Sequence, residues 1–213
     1  MSGRVDLWWA EVRDAADRRA LLRDVVSRYL RCHPEEVVLR RGASGRPELD
    51  RPGSRLRFSS SSSGPIALFA VTDGAAVGVD VERTAHGALL PGTEHLFLSA
   101  AERRRVAELA PASRPVELLR LWTVKEALAK ALGTGLATDP TELELRPPWR
   151  GGVVPTAGDV VAALVVHGGW EACLQRRVQP TAAVASISTS SREPMSSART
   201  HARTGRGSGN QRA

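Results

Sequence analysis

Apolar and polar positions change period several times along the chain, and each change predicts an element. Over residues 5–12 Leu7, Trp9 and Val12 alternate with polar neighbours, the period of a β-strand. Over residues 14–30 Leu21, Leu22, Val25, Val26 and Tyr29 recur at helical spacing, with Arg18, Arg19, Arg23 and Arg28 lining the polar side. Pro34 opens a helical turn, residues 37–39 form a short strand, and Gly42-Ala-Ser-Gly-Arg-Pro47 is a loop. Residues 66–71 and 76–82, joined at Asp73-Gly74, predict a hairpin.

Beyond a loop over residues 84–94, Ser99-Ala-Ala-Glu102 is a capping box that starts a helix reaching to about residue 109. After the prolines at 111 and 115, residues 121–136 predict a second helix of this half, ended by Gly133 and Gly135. Leu121, Val124, Leu128 and Leu132 form its apolar stripe, and Trp122, Glu126 and Lys130 cluster opposite. Residues 142–145, 160–166, 170–174 and 181–187 read as short strands. The pattern predicts an α+β chain of two halves with a similar plan of helix plus strands, 1–90 and 91–187, followed by a disordered Ser/Arg/Gly tail over 188–213.

Composition narrows the function. With 42% hydrophobic and 25% charged residues the chain is an ordinary globular one. It has no apolar run long enough to span a bilayer and no signal-peptide pattern, so a soluble cytoplasmic monomer is expected. Cys32 and Cys173 show no CxxC spacing and the five histidines no ligand spacing, which argues against zinc or a disulfide framework. Of the formal charge of +7, the segment from residue 187 carries most, and aromatic residues make up only 4%. A nucleic-acid surface is therefore not expected.

The chemistry is concentrated in a few positions. Among thirty basic residues only Lys125 and Lys130 are lysines. Lysine can shift its pKa and pass a proton where arginine stays charged. In Gly78-Val79-Asp80-Val81-Glu82 the carboxylates share one strand face, where two of them repel by roughly 2–3 kcal/mol at an effective dielectric near 20. A Mg²⁺ ion is the natural compensation, and Glu126 supplies a third carboxylate. The bland alternatives are a surface ion pair between Glu126 and Lys130, about 0.2–0.5 kcal/mol, and a solvated acidic strand end. Arg46, held between Gly45 and Pro47, can grip a phosphate, and the serine run 59–63 reads as an anion-cradling loop.

Taken together these residues resemble the Sfp-type 4′-phosphopantetheinyl transferases over about residues 5–187. Trp122-Thr-Val-Lys125-Glu126-Ala-Leu-Ala-Lys130 is similar to the family's W-x-x-K-E-(A/S)-x-x-K motif, and Val77-Gly78-Val79-Asp80-Val81-Glu82 to its G-(I/V)-D-(I/V)-E motif. Gly45-Arg46-Pro47, the helix around Arg23, and Phe97-Leu98-Ser99 with Glu102 are lesser agreements. Where the family carries a histidine that contacts the 3′-phosphate of coenzyme A, this chain has Ser62, which can donate a hydrogen bond but holds no charge.

The resemblance implies the phosphopantetheinyl transferase fold, two similar α+β halves in pseudo-twofold arrangement, and transfer of the phosphopantetheine arm of coenzyme A to a serine of an apo acyl- or peptidyl-carrier protein, releasing adenosine 3′,5′-bisphosphate. It implies Mg²⁺ on Asp80, Glu82 and Glu126, with Glu126 as general base and Lys130 at the leaving phosphate. Arg23, Arg46, Ser61, Ser62, Ser63, Lys125 and Lys130 would hold the phosphates of coenzyme A. Two rival readings are a different Mg²⁺-dependent phosphoryl-transfer enzyme and a degenerate member that binds carrier or coenzyme A with little transfer.

Overall fold

The structure, a computed structural model, describes residues 3–42, 45–156, 158–170 and 172–178. These belong to one compact unit, Met1–Pro180. The strand expected over 181–187 and the tail over 188–213 lie outside the described residues. In chain order the elements are β1 (Arg4–Glu11), α1 (Ala15–Leu30), β2 (Leu39–Arg41), β3 (Pro47–Leu49), β4 (Leu56–Ser63), β5 (Ile66–Asp73), β6 (Val77–Arg83), α2 (Ala100–Ala107), α3 (Arg114–Leu132), β7 (Trp149–Val154), β8 (Val160–His167) and β9 (Ala172–Arg177).

One sheet has the order β4-β5-β1-β9, antiparallel except for the parallel pair β1 and β9; another, β6-β8-β7, is antiparallel throughout, and β2 pairs with β3. The two larger sheets stack face to face. Val5, Leu7, Leu68 and Ala70 meet Val77, Val79, Val81, Ala162 and Leu164 between them. On the outside of the first sheet, Leu21, Leu22, Val25 and Val26 of α1 bury against Trp8, Ala67 and Phe69. On the outside of the second, Ala127, Leu128 and Ala131 of α3 pack on Ala163 and Val165. The α+β expectation holds, in the layer order α1, sheet, sheet, α3.

Because both faces of each sheet are covered, strict alternation is lost. Trp8, on the polar side of the expected pattern, is 7% exposed and sits under α1. The start of α1 is firm: the Asp14 carboxylate accepts from the Ala16 and Asp17 amides, an N-cap.

Several expectations need correction. The hairpin over 66–82 does not form. After β5 the chain turns at Gly74, whose φ is 87°, and β6 leaves the first sheet to pair with β8. Its valines then stack on Leu68 and Ala70 from the facing sheet, which burial favours over extending the same sheet. β9 returns to the edge of the first sheet, beside β1, while β6 stands beside β8 in the second. Residues 142–145 are irregular, and β7, unannounced in a segment with Gly151 and Gly152, takes the edge instead. The helix α3 starts at Arg114, with Pro115 in its first turn, where the missing N–H costs nothing. It is buried on several sides, and Leu132 of the expected stripe is 39% exposed. No helix among the described residues is long and apolar enough to cross a membrane.

Candidate active site

The site grows from the contact of β6 with α3. Along β6 the valines enter the core while Gly78, Asp80 and Glu82 face the other way. Gly78 lies directly under the helix, where a Cβ would collide with the Ala127 carbonyl and the Ala131 amide. Glycine permits that close approach, which brings Trp122, Glu126 and Lys130 of α3 into one cleft with Asp80 and Glu82. The cleft, about 460 Å³, is closed by Gly45-Arg46-Pro47, by Ser60, Ser61 and Ser62, and by Arg18. Trp122 reaches its floor and packs edge-on against Phe97, ring centroids 5.4 Å apart.

Asp80 is the most constrained group, 3% exposed. Its Oδ1 accepts from Lys130 Nζ at 2.6 Å and from the Ser61 hydroxyl at 2.7 Å. Lys130 also donates to Ser61 Oγ at 3.0 Å. Oδ2 is buried without a hydrogen-bond partner among the described residues. Burial pushes the Asp80 carboxyl above the ordinary aspartate range, and the Lys130 ammonium pulls it back. Glu82 Oε2 accepts from the Ser63 hydroxyl at 2.9 Å and lies 2.8 Å from His86 Nδ1. Glu126 is half-buried, and its carboxyl is raised first by burial and then by Asp80, with Lys130 opposing and Glu82 adding.

The serine run is not a loop. It is the edge strand β4, and its alternate residues Ser59, Ser61 and Ser63 are buried against β6. Ser59 Oγ and Ser63 Oγ accept the amides of Val79 and Arg83, at 3.2 and 3.1 Å, while Ser61 and Ser63 donate to Asp80 and Glu82. Small hydroxyl side chains let the two sheet edges touch and satisfy backbone groups that would otherwise be orphaned. Ser61 and Ser63 thus orient the carboxylates, and Ser62 is turned to the cleft rim, where it accepts from Arg18 Nη1 at 2.5 Å.

Besides Ser63, which does not line the cleft, two more expected phosphate ligands lie elsewhere. Arg23 is exposed on α1 and does not line the cleft. Arg18 does, and helix phase could have found it, since Arg18 continues the stripe of Leu21, Leu22 and Val25 while Arg23 stands about 140° away at 100° per residue. Lys125 is 4% exposed and bound on another side of α3. Arg46 lines the cleft as expected, half-buried, and burial lowers its pKa from the usual arginine value.

Among the described residues no three metal-ligating side chains already converge on one point. The donor set still suits a hard divalent cation. Asp80 Oδ2 is buried and unpaired, and Glu126 feels repulsion from both Asp80 and Glu82, strain that a cation bound among carboxylates relieves.

A cleft between helix-backed sheets, with a lysine set against paired carboxylates and arginines at the rim, has the charge pattern that suits phosphate groups. The 4′-phosphopantetheinyl transferase superfamily profile matches residues 76–178. The 4′-phosphopantetheinyl transferase HetI of a Nostoc species is 30% identical over 167 residues, 72% of this chain and 70% of that protein. The L-aminoadipate-semialdehyde dehydrogenase-phosphopantetheinyl transferase of Eremothecium gossypii is 37% identical over 114 residues, 51% of this chain and 41% of that protein. The chain belongs to the 4′-phosphopantetheinyl transferase family, whose members move phosphopantetheine from coenzyme A to carrier proteins.

Proposed function

We propose that the chain catalyses Mg²⁺-dependent transfer of the 4′-phosphopantetheine arm of coenzyme A to a serine hydroxyl of an apo acyl- or peptidyl-carrier protein, with adenosine 3′,5′-bisphosphate as the other product. The observation that carries this reading is the Lys130 ammonium, held at 2.6 Å by a buried Asp80 whose second oxygen is unpaired, in the same cleft as Glu126. Asp80, Glu82 and Glu126 would hold the cation, which supplies charge neutralisation at the pyrophosphate.

The remaining chemistry belongs to the chain's own residues. Glu126, made more basic by burial and by its acidic neighbours, takes the proton of the carrier serine. The serine oxygen forms a bond to the phosphorus that carries the pantetheine arm. The phosphoanhydride bond breaks, and its electron pair leaves with the adenosine bisphosphate. Lys130 sits where that departing phosphate gains charge, and an ammonium can give it a proton as well. Arg18, Arg46 and Ser62 at the cleft rim position the outer phosphates.

The test is intact mass of an apo carrier incubated with coenzyme A, Mg²⁺ and the protein. A gain of one phosphopantetheine is expected, and Glu126→Gln is expected to slow it about 100-fold or more. No mass gain on any of a panel of carriers, with consumption of a nucleoside triphosphate instead, would sink the proposal.

A further inference from the structure

The chain's other lysine has a task of its own. Lys125, next to Glu126 on α3, points away from the cleft into a position where it is 4% exposed. Its Nζ donates to the carbonyls of Pro140 and Leu143 at 3.0 and 2.6 Å and lies 2.9 Å from Glu102 Oε2. An ammonium has three donors, and here each faces one acceptor. Glu102, 8% exposed, uses the same Oε2 to accept the Ser99 amide at 2.8 Å, closing the N-terminus of α2. One buried cation therefore joins α2, α3 and the irregular segment after α3.

We infer that Lys125 is a positioning residue, a three-armed clamp that sets the rotation of α3 and so presents Glu126 and Lys130 to the cleft. The inference rests on the roles proposed for those two residues. The hydrophobic pattern cannot set that rotation by itself. Leu118, Leu119, Thr123, Ala127, Leu128 and Ala131 are all buried, and at 100° per residue they surround most of the helix. The alanines that meet the second sheet are small and alike, so apolar packing tolerates a turn of the helix that a directional, fully satisfied ammonium does not. Glu126 follows Lys125 directly and has no comparable anchor among the described residues, so its direction depends on the clamp. Arginine is a poor substitute, because its planar fork spreads its donors while these three acceptors converge on one nitrogen.

The decisive variant is the pair Lys125→Met with Glu102→Gln. The methionine keeps much of the stem, and the glutamine avoids leaving a buried carboxylate without its partner. The melting temperature is expected to stay near that of the parent while kcat falls about 100-fold, the effect of a misplacement near 1 Å. KM for coenzyme A is expected to change less than about threefold, since the rim residues are untouched. Hydrogen exchange should quicken over residues 121–132 and stay slow in β1 and β5. Parent-like kcat with parent-like exchange overturns the proposal, and so does a KM for coenzyme A that rises in step with the loss of rate, which would make Lys125 a phosphate ligand. Lys125→Arg retains the charge beside Glu102 and serves if the double variant does not fold: a lowered kcat supports the clamp, and a parent-like one overturns it. If Glu126→Gln and Lys130→Met leave transfer intact, the reading of the cleft fails instead, and exchange along α3 still decides whether the clamp holds the helix.

Discussion

Single residues in the cleft divide between holding charge and aiming it. Ser62 carries no charge of its own, yet Arg18 donates to it at 2.5 Å, so a guanidinium stands at that point of the rim. A charge-assisted hydrogen bond contributes about 1.5–3 kcal/mol, which corresponds to roughly a tenfold to hundredfold change in affinity. Arg18→Ala is therefore expected to raise KM for coenzyme A at least about tenfold with kcat little changed. It should also reduce the preference for coenzyme A over its 3′-dephospho form. A steady KM together with an unchanged preference would show that Arg18 serves α1 and not the ligand. Asp80 is of the aiming kind: with one oxygen taken by Lys130 and Ser61, its free oxygen has a single direction left.

At the scale of elements, legibility followed the number of faces a segment buries. The helix α1 has one buried face and an N-cap at Asp14, so the sequence pattern over 14–30 marks its span, Ala15–Leu30, nearly to the residue. For α3 the alternation of small and large apolar residues conceals the packing, although helical spacing alone puts Glu126 and Lys130 on one side, and Gly133 ends the helix with φ of 77°. The motif on β6 was legible because only period two puts Gly78, Asp80 and Glu82 together. Its partner was not: serines signal turns more often than strands, and nothing in a run of five identical residues says that alternate hydroxyls meet carboxylates nineteen positions away. The start of α1 carries a prediction of its own. Arg13 donates to both Asp17 oxygens from its side chain, at 2.6 and 2.7 Å, and again from its amide. The Arg13 side-chain hydrogen bond holds the Asp17 carboxyl below its ordinary value of 3.8, with burial opposing. A carboxyl depressed in the folded state stabilises the fold above its unfolded pKa and loses that contribution as pH falls through the folded one. Melting temperature should thus fall as the pH drops below 3.8, and Asp17→Asn should be less stable above that pH and show a shallower acid slope. An identical slope in the variant would remove Asp17 from the account.

Across the whole molecule the two sheets are tied by segments that cross between them, and β9 is the tie made last along the chain. It pairs in parallel with β1 from Arg4↔Ala172 to Trp9↔Arg177, and the Val178 amide adds a bond to the Trp9 carbonyl at 2.9 Å. Arg176 lies over Trp8, 5.4 Å from the ring centroid, and Arg28 lies 5.1 Å from it, so the strand also anchors the layer beneath α1. Without β9 the edge of β1 would present unpaired backbone groups beside a buried Trp8. At about 1 kcal/mol for each ladder hydrogen bond, the loss is comparable to the whole stability of a domain this size, about 5–15 kcal/mol. A chain ending at Gly169 is therefore expected to unfold or aggregate, and with it the cleft at the other edge of the same sheet, where β4 meets β6. A chain ending at Pro180 keeps the entire compact unit and should retain both its melting temperature and its transfer rate to within about twofold. Circular dichroism melts and carrier mass gain on the two truncations decide the matter: a folded, active chain ending at Gly169 would mean that the sheet closes without its parallel strand, and that β4 and β6 hold the site between them unaided.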